Sequence, residues 1–120
     1  MTAPDISLHV DGGLIANARV AASWWPRLRG LLGVRRYEHP AGLLIPRCSS
    51  VHSFGMSMTI DVLYLDDGFE VVKAVAMFKP WRISFGGRGA KQTLELPAGT
   101  IERSQIERGQ RLEARSSSSE

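Results

Sequence analysis

Between Cys48 and Asp61 the chain sets a thiol, an imidazole, a thioether and a carboxylate in the order Cys48-x3-His52-x3-Met56-x4-Asp61. Cys48, His52 and Met56 are soft or borderline donors, a set that suits Cu(I) better than a hard cation. A second reading makes Cys48 a nucleophile with His52 as its base and Asp61 orienting the imidazole, as in a small hydrolase. Spacing weighs against both. Donors four apart line up on a helix, yet Pro46, Ser49, Ser50 and Gly55 argue against one here. On an extended strand the first and last donors share a face but stand about 26 Å apart. Only a tightly folded loop brings them together. Otherwise Cys48 and Met56 fill core, and His52 makes a structural hydrogen bond. The flanking signature of a cysteine hydrolase is absent.

Two further carboxylates matter. Asp61 and Glu95 sit in otherwise apolar runs, and a converging pair would serve as acid and base, as in glycoside hydrolysis. A buried carboxylate left unpaired is costly, so an arginine partner is the simpler expectation, Arg27 bridging to Asp61 or to Glu95. Further on, Lys79-Pro80-Trp81-Arg82 precedes a glycine-rich stretch, and an aromatic beside a cation on flexible backbone fits the rim of a ligand site. The stretch Gly86-Gly87-Arg88-Gly89 lacks the spacing of a phosphate-binding loop.

These residues lead to one expectation and one rival. The expectation is a non-catalytic binding or accessory domain with a polar pocket at His52, Asp61 and Glu95, Arg27 and Trp81 nearby. Such a pocket would take a small polar ligand or meet a protein partner. The rival is a Cu-type metal protein built on Cys48, His52 and Met56, or a small hydrolase built on Cys48 and His52. No cofactor motif is found, and no cofactor is expected.

The elements that must position these groups are mostly strands. Ile6, Leu8 and Val10 alternate with Ser7 and His9, the period of a half-buried strand. Asp11-Gly12-Gly13 turns the chain into a returning strand over 14–20. Ser23 caps a helix of about ten residues whose stripe is Trp24, Leu28, Leu31 and Leu32, ended by Gly33. Residues 43–45 make a short buried strand. Residues 60–65 and 69–78 make a hairpin across Asp66-Asp67-Gly68. Residues 84–89 read as a flexible loop. A strand over 93–96 and a short helical turn from Thr100 come next, and a closing strand over 110–114 ends the pattern. Trp24, Trp25 and Phe78 are expected in the core. About seven short strands with one N-terminal-side helix describe a mainly β fold, a compact β-sandwich or small barrel. The pattern places one domain over 6–115, with polar tails at 1–5 and 116–120.

Composition narrows the partners. Fifteen basic and twelve acidic residues leave a net charge of +3. The arginines are scattered and not gathered in a stripe with interleaved aromatics, so nucleic acid is not the expected partner. Cys48 is the one cysteine, which rules out an internal disulfide. The N-terminal residues lack a basic start followed by an apolar run, and no uncharged stretch is suited to a membrane helix. A cytoplasmic protein is expected.

Four stretches follow in order. They are Arg27-Leu28-Arg29-Gly30-Leu31-Leu32-Gly33, then Gly42-Leu43-Leu44-Ile45-Pro46. Next comes His52-Ser53-Phe54-Gly55-Met56 with Ile60-Asp61-Val62 and Leu65-Asp66-x-Gly68. The last is Leu94-Glu95-Leu96-Pro97-Ala98-Gly99, ending near Gly109. Together they resemble domain-of-unknown-function family 192, a group of small bacterial and archaeal proteins. The resemblance covers roughly residues 10–113 and implies a compact β-sandwich or barrel with one helix near the N-terminal side. It implies no activity. Gln110 stands where the family often has Asp, so a role tied to that carboxylate does not carry over.

Overall fold

The structure is a computed structural model that describes residues 5–20, 41–54 and 58–116. Nine strands and one short helix lie among them: β1 (Asp5–Val10), β2 (Gly13–Val20), β3 (Ala41–Pro46), β4 (Ser50–His52), β5 (Ile60–Leu65), β6 (Val71–Phe78), β7 (Ile83–Phe85), β8 (Gln92–Pro97), α1 (Thr100–Ser104) and β9 (Glu113–Ser116). The expected helix over 23–33, with Trp24, Trp25 and Arg27, lies outside the described residues, as does Met56. The seven expected strands are present, the closing one at Glu113–Ser116 and not over 110–114, so that it includes Ser116, expected in the tail. Two more, β4 and β7, pair as a separate ribbon.

The first hairpin follows from its turn residues. Asp11 and Gly12 both take positive φ, 53° and 84°, the combination a two-residue hairpin turn requires to match strand twist. β1 then pairs antiparallel with β2. β2 pairs parallel with β3, a geometry that needs a crossover of a dozen or more residues. Residues 21–40 provide that connection.

Seven strands form one sheet in the order β6-β5-β8-β3-β2-β1-β9. It is not a closed barrel among the described residues, because β6 and β9 do not form a ladder. Residues 109–112 nonetheless cross the gap: Val71 N–H donates to the Gln110 carbonyl, and Leu112 N–H donates to the Phe69 carbonyl. The curled sheet buries Leu8, Ala16, Leu44, Leu63, Leu65, Leu94 and Leu96 on its inner face, closed by Ile101 of α1 and by Ile106 and Leu112.

Every residue of β5 is buried, so both of its faces must be covered. Its inner face carries Leu63 and Leu65 into the main core. Its outer face carries Ile60, Val62 and Tyr64 into a second cluster with Val51, Phe78 and Ala90. Val51 comes from β4, so the ribbon is the lid of this second core. Phe78 is core as expected. Gly86, just after β7, packs so closely that a Cβ there would lie 2.5 Å from Tyr64 Cδ1, and only glycine fits.

Candidate functional site

β5 and β8 are antiparallel neighbours with Asp61 opposite Leu96 and Val62 opposite Glu95. Directly opposed residues share a sheet face, and successive residues alternate. Asp61 therefore projects with Leu63 and Leu96 toward the inner core, whereas Glu95 projects with Val62 and Tyr64 toward the ribbon. Both side chains are fully buried. The register separates the two carboxylates onto opposite faces of one sheet.

Asp61 has two local tasks. Opposite it, β6 carries one extra residue, because Ile60 faces Phe78 while Val62 faces Val75. This is a β-bulge. Met77 in the bulge has φ 58°, and its N–H donates to Asp61 Oδ1 at 2.9 Å. The other oxygen, Oδ2, accepts the Ile101 N–H at 2.8 Å. Ile101 is in the first turn of α1, whose N-cap is Gly99 at φ 93° with no side-chain cap bond. A Ser, Thr or Asp at the cap would ordinarily accept that amide. The left-handed backbone favours glycine there, and Asp61 supplies the missing acceptor from β5.

His52 lies at the end of β4, half-buried, and its Nδ1 accepts the Phe54 N–H at 3.3 Å. Its ring centroid is 5.1 Å from that of Phe54. Phe54 in turn stacks on Trp81, with centroids 5.8 Å apart and planes at 25°. His52 pairs with Ile83, and Ser50 pairs with Phe85. Since Val51 faces the second core, alternation turns Ser50, His52, Ile83 and Phe85 to the opposite, outer side. Phe54, Trp81, Ile83 and Phe85 are 44%, 64%, 58% and 61% exposed. The result is a contiguous aromatic and aliphatic face beside an imidazole.

One buried hydroxyl positions this face. Ser53 Oγ donates to the Lys79 carbonyl at 2.6 Å and accepts the Arg82 N–H at 2.8 Å. Ser53 N–H donates to the Arg82 carbonyl, and the Ser53 carbonyl accepts the Trp81 N–H. These bonds hold Trp81 at φ 64°, where a non-glycine residue is uncommon, and extend the indole from the turn before β7. Lys73 Nζ donates to the Phe85 carbonyl at 2.8 Å and fastens the other end of the ribbon to β6.

The structure thus joins His52 to Trp81 through Phe54 and commits Asp61 to the amides of Met77 and Ile101. Cys48 is elsewhere. Its thiol donates to the Ser50 carbonyl at 3.1 Å, and the half-buried side chain packs against the second core. No hydrogen bond joins Cys48 to His52. Arg27 and Met56, expected here as pocket and metal residues, lie outside the described residues. Among the described residues no three His, Cys, Asp or Glu side chains cluster in a way that could hold a metal ion. A depression of about 370 Å³ opens beside Arg47, Cys48, Asp67 and Lys91, and His52, Asp61, Glu95 and Trp81 do not line it.

Phe54, Ser53, Ile83 and Phe85 carry the face, although sequence reasoning singled out none of them as site residues. Ser53 and Phe54 stand in the stretch His52-Ser53-Phe54-Gly55-Met56 that carries the family resemblance, and Ile83 and Phe85 had only the alternation Ile83-Ser84-Phe85 just before the glycines. Behind the ribbon, burial pushes the Tyr64 phenol above its ordinary value of 10.0, and nearby Ser84 works against this shift. No hydrogen bond of good geometry reaches its hydroxyl.

The family model of domain-of-unknown-function family 192, described as an uncharacterized ACR, matches residues 6–114. The chain belongs to this family. Family 192 relatives named UPF0127 protein include one from Thermococcus sibiricus, 30% identical over 99 residues covering 79% of this chain and 64% of that protein. A second, from Pyrococcus furiosus, is 43% identical over 65 residues, 54% of this chain and 55% of that one. The chain therefore spans less than two thirds of each of these two relatives. A solved structure of a candidate transcription regulator from Sinorhizobium meliloti superposes with a TM-score of 0.80 at 22% identity, covering 94% of this chain and 95% of that one. That likeness shows the fold. In this family 192 chain, Gln110 fills its position with an amide whose Oε1 accepts the Glu107 N–H at 2.8 Å, which closes the turn before β9. No helix among the described residues is long and apolar enough to cross a membrane.

Proposed function

We propose that this chain is a non-catalytic binding or accessory module that docks a large partner on the outer face of the β4–β7 ribbon. One observation carries the reading. Four large apolar side chains stand exposed together beside His52, held there by a buried serine, and contiguous apolar exposure of this kind marks interaction surfaces. The expected pocket of His52, Asp61 and Glu95 for a small polar ligand has less support, because both carboxylates are buried on opposite faces of the sheet.

The test replaces Ile83 or Phe85, one at a time, with the photoreactive residue p-benzoylphenylalanine in the source cells, with Leu14 as the control. Leu14 is 49% exposed on β2, away from the ribbon. Adducts of discrete mass from positions 83 and 85, and none from 14, are the expected result. Absence of adducts at 83 and 85, or equal yield at 14, refutes the docking face.

A further inference from the structure

We infer that the ribbon face docks on an anionic lipid surface, an inference that rests on the docking reading above and names its partner. The apolar part of the face is Phe54, Trp81, Ile83 and Phe85, contiguous through ring contacts and β4–β7 pairing. The second, independent observation is charge. From Val71 to Leu94 the chain carries Lys73, Lys79, Arg82, Arg88 and Lys91 and not one Asp or Glu. From Gly42 to Ile60, the stretch that contains β4, there is Arg47 and again no carboxylate. All six cations are exposed, and Lys73 reaches the end of β7 itself. Exposed carboxylates occur at Asp11, Asp67, Glu102, Glu107 and Glu113, with Glu70 partly exposed beside Arg111. Asp67 shares a depression with Arg47 and Lys91, so the cations at the ribbon itself are Lys73, Lys79 and Arg82. The exposed rings thus lie in sequence stretches without a carboxylate, with Lys73, Lys79 and Arg82 held at the ribbon.

That pairing matches the chemistry of a membrane interface. Trp and Phe settle at headgroup depth, aliphatic side chains reach the acyl boundary, and flanking Lys and Arg meet anionic headgroups. Protein interfaces differ in carrying about one hydrogen bond per 100–200 Å². Residues 79–85 and 50–54 offer Lys, Pro, Trp, Arg, Ile, Ser, Phe, Val and His, with no carboxylate or carboxamide to set such a pattern. For a nucleic acid the ring faces would have to be open to bases, and Phe54 and Trp81 already stack on one another. Association by this route is peripheral and reversible, through four side chains and a rim of cations.

The test is sedimentation of the purified chain with vesicles of phosphatidylcholine alone and of equal parts phosphatidylcholine and phosphatidylglycerol. A single-stranded oligonucleotide serves as a competing probe. The expected result is partition into the anionic vesicles only, weakening as salt is raised. With Trp24→Phe and Trp25→Phe, so that Trp81 alone emits, its fluorescence shifts to the blue on binding. Each basic side chain near an anionic leaflet strengthens binding about fivefold, so Lys79→Glu with Arg82→Glu lowers partition by roughly twentyfold or more. Phe85→Ser, which alters one exposed ring and leaves Ser53 and Tyr64 in place, lowers it with an unchanged melting temperature. No sedimentation with anionic vesicles, equal sedimentation with neutral ones, or release of the chain from vesicles by the oligonucleotide overturns the lipid assignment. If that happens while positions 83 and 85 still give photo-adducts in cells, the docking face stands with a different partner. If both fail, both readings fall.

Discussion

Replacing Asp61 by Ala removes the acceptor of the buried Ile101 amide and of the part-buried Met77 amide. Hydrogen bonds to a charged group contribute about 1.5–3 kcal/mol each, and the orphaned donors add their own desolvation cost. The loss expected for Asp61→Ala is therefore about 3–5 kcal/mol, a large share of the roughly 5–15 kcal/mol that holds a domain of this size. Asp61→Asn keeps one carbonyl acceptor but turns an NH2 group toward the other N–H, so its loss should fall between those of wild type and Ala. Urea unfolding measures the free energies, and amide hydrogen exchange supplies the local check. Protection at Met77 and Ile101 should fall first and furthest, with the neighbouring amides of β6 and α1 following. An Asp61→Ala variant within about 1 kcal/mol of wild type, or unchanged exchange at these two amides, refutes the argument.

Gly86→Ala pushes a methyl group into Tyr64 and Ala90 and should cost about 1–3 kcal/mol in thermal or urea unfolding, the range for overpacked sites. Ser53→Ala deletes the hydroxyl that ties Lys79 and Arg82 to β4. It should cost about 1–3 kcal/mol and broaden the indole resonance of Trp81 as the turn loosens. Tyr64→Phe removes a buried hydroxyl that lacks a good hydrogen bond, so stability at neutral pH should stay level or rise by up to about 1 kcal/mol. The same variant tests the phenol's titration. The folded state holds the Tyr64 proton more tightly than the unfolded chain, so wild-type stability is intact below about pH 10 and is lost as pH climbs beyond it. Phe at 64 should remove that alkaline component, read from unfolding midpoints on either side of pH 10. Arg111→Ala breaks only an exposed pair with Glu70 at 3.6 Å and should change stability by less than about 1 kcal/mol.

The sheet was legible wherever a local rule sufficed. Asp11-Gly12 announced its hairpin through the φ angles those residues tolerate. Residues 60–65 read as a strand because five of six are apolar. Thr100 started the predicted helical turn. The ribbon was not legible, since β4 and β7 are three residues each and too short to show a period. Its existence depends on Ser53 bonding to carbonyl and amide groups almost thirty positions away. Residues 84–89, read as a loop, therefore begin inside a strand. The arrangement of the site residues was not legible for a related reason. Asp61 and Glu95 are both polar residues in apolar strands, and a one-residue difference in the β5–β8 register decides whether they converge or turn away from each other. Nor does any sequence rule say that a bulge at Met77 and a glycine cap at Gly99 share one carboxylate.

The claim that matters most is that the ribbon's outer face, and not a polar pocket around Asp61 and Glu95, is where this chain meets its partner. Hydroxyl-radical footprinting, run on the purified chain and again inside the source cells, addresses that claim without knowing the partner. Phe54, Trp81, Ile83 and Phe85 should label readily in the purified chain and lose labelling in cells, while Leu14 labels equally in both. Unchanged labelling of those four side chains in cells, with protection appearing elsewhere on the surface, would contradict it.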